Sequence, residues 1–244
     1  MSPQTISVSA TSSAPTIRWI TIEGNIGSGK STFMSFLKSL PWGDNVEFVP
    51  EPVDVWETIR DSTGKSMIEL FYGDQARNAF SFQMMAYISR LSLMRESIRR
   101  VQARYPSPTP DKPILIISER CLETDANVFA KMLFDDGKIR EVDYQIYRRW
   151  FDEFTRDLPV AEVVYVRTSP EVCSERIHRR LRKGEEGIPL EYLTRCHEYH
   201  ESWISPRKNK VILDGNQERI CETGIKMESY NDWLHQIGVT PALA

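Results

Sequence analysis

The sequence has no apolar run approaching the roughly 18 residues needed to cross a bilayer, and no apolar stretch follows Met1. Neither a membrane span nor a secretory signal peptide is expected. Cysteine is sparse. Cys121, Cys173, Cys196 and Cys221 stand far apart and form no CxxC pair, which argues against a disulfide framework or a cysteine-held zinc ion. A reducing compartment follows, with the cytoplasm as the expected location. An excess of positive charge is also missing. A formal net charge of -3 does not suit a surface built to neutralise the many phosphates of a nucleic-acid duplex, although a small anion in a local basic pocket stays open. Charge of either sign is absent before Arg18, where Ser, Thr and Pro dominate. That segment is too poor in apolar side chains to pack a core and lacks the arginines of a mitochondrial import sequence, so residues 1–17 are expected to form a disordered tail.

What is present fits one folded unit. A chain of 244 residues, 41% of them hydrophobic, can bury one substantial core, and residues 18–244 are expected to form a single α/β domain. Short apolar runs that end in polar residues occur at Arg18 to Glu23, Val46 to Pro50, Ile114 to Ser118, Val163 to Val166 and Val211 to Leu213. Helical patterns separate most of them, which predicts five parallel strands with crossover helices. A helix is predicted after the first strand through Leu40, stopped by Pro41. The longest runs from about Gln75 to Tyr105 and ends at the stretch containing Pro106, Pro108, Pro110 and Pro113.

The strongest chemical signal is the run Gly24, Asn25, Ile26, Gly27, Ser28, Gly29, Lys30, Ser31 and Thr32. It fits the P-loop pattern in the strand-then-helix context that gives the pattern meaning. Glycines let backbone N–H groups curl around phosphates, the helix N-terminus adds partial positive charge, and Lys30 reaches the outer phosphates. Ser31 is placed to hold Mg2+. ATP and Mg2+ are therefore the expected cofactors.

A P-loop does not name the acceptor, so the other strand ends matter. Glu51 follows the second strand between Pro50 and Pro52, which fix an extended segment, and a carboxylate there can take a proton from an attacking hydroxyl. Glu119 and Arg120 close the third strand, an acid near the metal and a cation near the transferring group. On the long helix Gln83, Ala86, Tyr87 and Arg90 share a face; Gln83 offers both hydrogen-bonding senses to a nucleobase edge and Arg90 a bidentate donor, with partial solvent exposure the plainer expectation. Asp125 and Phe129 share a face by i, i+4 spacing. Arg176, Arg180 and Arg182 run into the turn Gly184-Glu185-Glu186-Gly187, a segment suited to closing over phosphates. Trp56, taken alone, reads as packing.

In order, Ile22-Glu23-Gly24-Asn25-Ile26-Gly27, Glu51-Pro52-Val53, Ser81-Phe82-Gln83, Glu119-Arg120, Asn127-Val128-Phe129-Ala130 and Gly187-Ile188-Pro189-Leu190-Glu191-Tyr192-Leu193 resemble the cellular-type deoxynucleoside kinase family from about Arg18 to Asn216. The resemblance implies a parallel-sheet P-loop kinase, commonly a homodimer, that phosphorylates the 5′-hydroxyl of a deoxynucleoside. Glu51 would be the general base and Arg120 would orient it. Tyr72 and Glu185 would bind the sugar 3′-hydroxyl, Gln83 would pair with the base beside Phe82, and Phe129 would stack on it. Arg176, Arg180 and Arg182 would form the lid, and Glu119 would help to hold the metal. The Arg90 and Asp125 pair resembles members preferring deoxycytidine or purine deoxynucleosides over thymidine, whereas Cys121-Leu122-Glu123-Thr124 departs from the usual Ser- and Tyr-containing stretch.

Two rivals remain at this stage. A nucleoside monophosphate kinase would need extra cations for an acceptor phosphate, and a non-catalytic structural subunit of the same fold would carry damaged positions at Lys30, Glu51 or Arg120. All three residue types are intact.

Overall fold

The computed structural model describes residues 17–180, 185, 187–218, 220–221, 224–225 and 230–241. Its centre is a five-stranded sheet in the order β2-β3-β1-β4-β5, every neighbouring pair parallel. The strands are β1 (Ile17–Glu23), β2 (Val46–Val49), β3 (Ile114–Glu119), β4 (Ala161–Arg167) and β5 (Lys210–Asp214). All five are those expected from the sequence. β1 begins at Ile17, paired with Ile114, so the sheet claims one residue assigned to the tail. Residues 1–16 lie outside the described residues.

Between β1 and β2 stands α1 (Lys30–Lys38). Helices α2 (Val53–Thr58), α3 (Met67–Gly73) and α4 (Gln75–Arg104) precede β3. Next come α5 (Leu122–Thr124), a π-helical turn (Asp125–Ala130), α6 (Lys131–Asp135) and α7 (Glu141–Phe154). The chain continues with α8 (Pro170–Arg180) after β4, α9 (Leu190–Ile204) before β5, the short antiparallel pair β6 (Ile220–Cys221) and β7 (Gly224–Ile225), and α10 (Asn231–Ile237). Local chemistry sets several boundaries. Ser66 and Glu69 form a reciprocal capping box at the start of α3, and Asp74 accepts from the Arg77 N–H at 3.1 Å to start α4. α1 stops at Lys38, short of the expected Leu40, because the Leu40 N–H bonds to the Leu37 carbonyl and tightens the last turn.

Helices cover both sheet faces, so strand residues alternate between two cores. On β1, Trp19 packs with Val49, Met94, Val101 and Ile116 on the α4 side. Ile20 and Ile22 point the other way, to Phe33, Phe36 and Leu37 of α1 and Trp233 and Ile237 of α10. Each such buried side chain contributes about 1.5–3 kcal/mol. After β1 the chain fills one side of the sheet with β2 and β3, then crosses to the other with β4 and β5. That reversal leaves a crevice beyond the carboxyl ends of the central strands, where ligands of open α/β sheets bind.

Candidate active site

A cavity of about 730 Å³ occupies this crevice. Its walls come from the loop after β1, the segment after β2, the ends of β3, the face of α4, the π-helical turn, and α8.

The end formed by Gly24 to Thr32 is built from backbone. Gly24, Gly27 and Gly29 have φ of 145°, 77° and 100°, conformations that L side chains rarely adopt. A Cβ on Gly27 would lie 2.6 Å from the Cys173 carbonyl oxygen, and one on Gly24 as close to the Val166 carbonyl oxygen. Asn25 fixes the loop twice: its Oδ1 accepts from the Ile26 N–H at 2.8 Å, and its Nδ2 donates to the Leu193 carbonyl of α9 at 2.8 Å. Lys30 is buried and donates to the Asn25 carbonyl at 2.7 Å. Burial, followed by the neighbouring Arg120 cation, lowers its pKa to about 8. The Ser31 hydroxyl donates to Glu119 Oε1 at 2.7 Å, so the serine and the acid expected near the metal meet, and Thr32 also lines the cavity.

The opposite end is built from side chains. Glu51 Oε1 accepts from Arg120 Nε at 3.1 Å and from Arg90 Nη2 at 3.2 Å. Burial pushes the Glu51 carboxyl up, but Arg120, Arg90 and Lys30 together outweigh it and hold the group well below the usual carboxylate range. Arg120 is the only described residue other than glycine with positive φ, at 64°, a conformation costing about 1–2 kcal/mol. Its Nη1 donates to the Gly24 carbonyl at 2.6 Å, and its guanidinium lies 5.0 Å from the centre of the Phe129 ring.

Arg90 is fully enclosed, not partly exposed as expected from its helix face. Its Nε donates to Asp125 Oδ2 at 2.9 Å and its Nη1 to the Glu119 carbonyl at 2.9 Å. Burial pushes the Asp125 carboxyl up against the pull of Arg90, while the arginine is raised by its two acids despite its own burial. Asp125 and Phe129 do come together in the cavity wall, but on a π-helical turn and not on the α-helical face that the i, i+4 spacing suggested. Gln83 is buried too, and its Oε1 has no hydrogen-bond partner among the described residues. Phe82 stacks on Phe71 with ring centres 4.4 Å apart and meets Trp56 edge-on at 5.6 Å.

Tyr72 lines the cavity, its pKa raised by burial and then by the nearby Glu185. Glu185 is buried and forms an ion pair with Arg180. Arg176 Nη1 donates to the Ser28 carbonyl at 3.2 Å and its Nη2 to the Gln217 carbonyl at 3.0 Å. Arg182 and Glu186 lie outside the described residues.

Sequence reasoning missed several lining residues. Trp56 was read as packing; it packs, donating to Ser89 Oγ at 2.8 Å, and also lines the cavity with Ile68 and Tyr192. Arg179, paired with Glu218 at 2.9 Å, and Tyr230 and Trp233 near α10 complete the wall. The Pro-bracketed Glu51 segment was the available signal for Trp56; nothing local marks the residues from the C-terminal part.

A lysine-bearing P-loop facing an ionised acid across one cavity is the layout of a phosphoryl-transfer site, and a family model described as Deoxynucleoside kinase matches residues 20–241. The chain belongs to the deoxynucleoside kinase family. It is 35% identical to the deoxycytidine kinase of Homo sapiens over 228 residues, covering 87% of this chain and 85% of that protein. It is 33% identical to deoxycytidine kinase 2 of Gallus gallus over 237 residues, covering 90% and 86%. With the mitochondrial thymidine kinase 2 of Homo sapiens it shares 34% identity over 213 residues, covering 83% and 73%. As a deoxynucleoside kinase it is an ATP-dependent phosphotransferase that acts on deoxynucleosides in nucleotide salvage. The intact Lys30, Glu51 and Arg120 fit this family.

Proposed function

We propose that this kinase transfers the γ-phosphoryl group of ATP to the 5′-hydroxyl of deoxycytidine or a purine deoxynucleoside in preference to thymidine. The buried Arg90–Asp125 pair beside the unpartnered Oε1 of Gln83 carries this reading. These groups present donors and acceptors to a base edge and fill the space that a thymine methyl would need. Enclosing that methyl against them, without matching partners, costs several kcal/mol.

In the proposed reaction Gln83 pairs with the base, Phe129 stacks on it, and Tyr72 with Glu185 holds the 3′-hydroxyl. Glu51 takes the 5′-hydroxyl proton. Arg120 and Arg90 keep its carboxylate ionised and aimed, and in a loose transition state the hydroxyl gives up its proton late, once bonding to phosphorus has acidified it. Lys30 and the P-loop N–H groups hold the donor phosphates, with Arg176 and Arg180 closing from α8. Ser31 Oγ and Glu119, both hard oxygen donors that already meet, fit Mg2+, which takes one or two protein oxygens alongside water and phosphate. When bound, the ion would draw charge from the phosphate oxygens.

The deciding assay compares kcat/KM for deoxycytidine, deoxyadenosine, deoxyguanosine and thymidine with ATP and magnesium. Preference for any of the first three supports the reading; thymidine preference overturns the base-pocket assignment.

A homodimer is part of the same reading. Val142, Ile146 and Trp150 lie at i, i+4 and i+8 on α7 and are 64%, 42% and 46% exposed, and α4, which packs against α7, exposes Ile88 at 50%. Such an apolar stripe suits a second copy of the chain. Trp150→Glu is expected to convert a sedimenting dimer into a monomer, and a monomeric wild type would refute this assignment. The cytoplasmic location is proposed from Cys121, Cys173 and Cys196, all buried free thiols; fractionation of cells expressing the tagged full chain tests it, and enrichment in an organelle would refute it.

A further inference from the structure

Glu23 is the last residue of β1 and has no exposed surface. Its hydrogen-bond donors are neutral groups: Thr21 Oγ1 donates to Oε1 at 2.5 Å, the Cys121 N–H to Oε1 at 2.9 Å, and Thr124 Oγ1 to Oε2 at 2.6 Å. A carboxylate in a core is retained at a cost unless its hydrogen bonds organise something. What it organises is the turn containing Arg120. The Arg120 N–H bonds to the Ile22 carbonyl at 3.1 Å, the next N–H bonds to the Glu23 side chain, and the Arg120 guanidinium returns to the Gly24 carbonyl at 2.6 Å. Three consecutive residues, Ile22, Glu23 and Gly24, thus take three groups from the two residues that follow β3. The middle bond falls directly after the residue held at φ 64°.

We propose that Glu23 is a positioning residue for phosphoryl transfer: its carboxylate pins the Arg120–Cys121 peptide in the left-handed turn that presents the Arg120 guanidinium to Glu51. Without that acceptor the Cys121 N–H is buried and unpaired, and Arg120 relaxes toward a right-handed conformation that carries its guanidinium away from Glu51. The inference rests on the proposed role of Arg120.

The test is a double-mutant cycle on the full-length enzyme, with rates normalised to folded protein. Glu23→Leu is expected to lower kcat about 10- to 100-fold, the scale of a misplaced catalytic contact, with KM for ATP and deoxynucleoside within about threefold. In an Arg120→Ala background the same change should alter kcat less than about twofold, because its route of action is gone. Glu23→Gln should restore kcat to within about threefold of wild type, since its carbonyl oxygen can take the Cys121 N–H and the Thr124 hydroxyl can turn to accept. Equal losses in both backgrounds, or full activity of Glu23→Leu, would overturn the inference. Full activity of Arg120→Ala would instead remove the role of Arg120 itself. If Glu23→Leu does not fold, Thr21→Val/Thr124→Val with Glu23→Met removes the hydroxyls left unpaired and enters the same cycle, with the same outcomes deciding.

Discussion

The two ends of the cavity are made differently. At the P-loop end one continuous stretch, Gly24 to Thr32, supplies the contacts, and glycine backbone conformations at Gly24, Gly27 and Gly29 determine its shape. At the other end Glu51, Gln83, Arg90, Arg120, Asp125 and Phe129 arrive from separate segments, and ion pairs with partners 35 to 69 residues away fix Glu51, Arg90, Arg120 and Asp125. A backbone-built end binds what all nucleotides share, the phosphates. The side-chain-built end can differ from one deoxynucleoside to another by exchanging residues without disturbing the first.

That division can be broken most strongly at Glu51. Glu51→Gln is expected to lower kcat by about 10³-fold, within the range of general-base catalysis, while deoxynucleoside binding measured by calorimetry stays near wild type. Unchanged turnover would show that another group accepts the proton.

The side-chain end is tested next by Arg90→Met and Asp125→Ala. Arg90→Met alone strands a buried acid, which costs about 3–5 kcal/mol and is read as a lower melting temperature. The double variant removes both charges, folds near wild type, and shifts the ratio of kcat/KM toward thymidine by about tenfold or more. An unaltered substrate ranking would place base selection elsewhere in the pocket.

The smallest effect belongs to the donor end. Lys30 in the ligand-free enzyme is a cation below about pH 8 and loses its proton above that pH. Only the cation attracts phosphate, so kcat/KM for ATP should fall as pH rises through 8, approaching tenfold per unit, while kcat at saturating ATP moves less because bound phosphate favours the protonated amine. Lys30→Arg, charged throughout, should flatten that limb. A flat wild-type profile from pH 7 to about 9.5 would remove the lowered lysine from the account of ATP binding.

The same division explains what could be read in the sequence. The five strands, the long α4 and the P-loop are local patterns, visible because short apolar runs, prolines and glycines act on their neighbours. Glu51, Arg120, Gln83 and Phe129 were reachable at the strand ends and through the family resemblance, and the structure brings them to one cavity. The burial of Arg90 was not reachable, because it depends on Asp125 across 35 positions. Nor was the left-handed Arg120, since nothing in its side chain favours that conformation. The role inferred for Glu23 was hidden for a similar reason: beside the Thr21 hydroxyl on its own strand, its partners are the Cys121 N–H and the Thr124 hydroxyl, brought to it from about 100 positions away.

The π-helical turn Asp125–Ala130 makes segment length a determinant of the active site. A π turn is an α-helix carrying one surplus residue. Asp125 and Phe129 therefore both reach the cavity only while that surplus is kept. Removing a single residue such as Asn127, whatever its chemistry, would close the turn to α geometry, so that the flanking helices keep their phase while the side chains within the turn are re-aimed. The aim of Phe129 relative to Asp125 would then change while every side chain of the proposed reaction was still encoded. In this stretch a one-residue deletion is a more damaging change than most substitutions, and residue count deserves the same protection in protein engineering as residue identity.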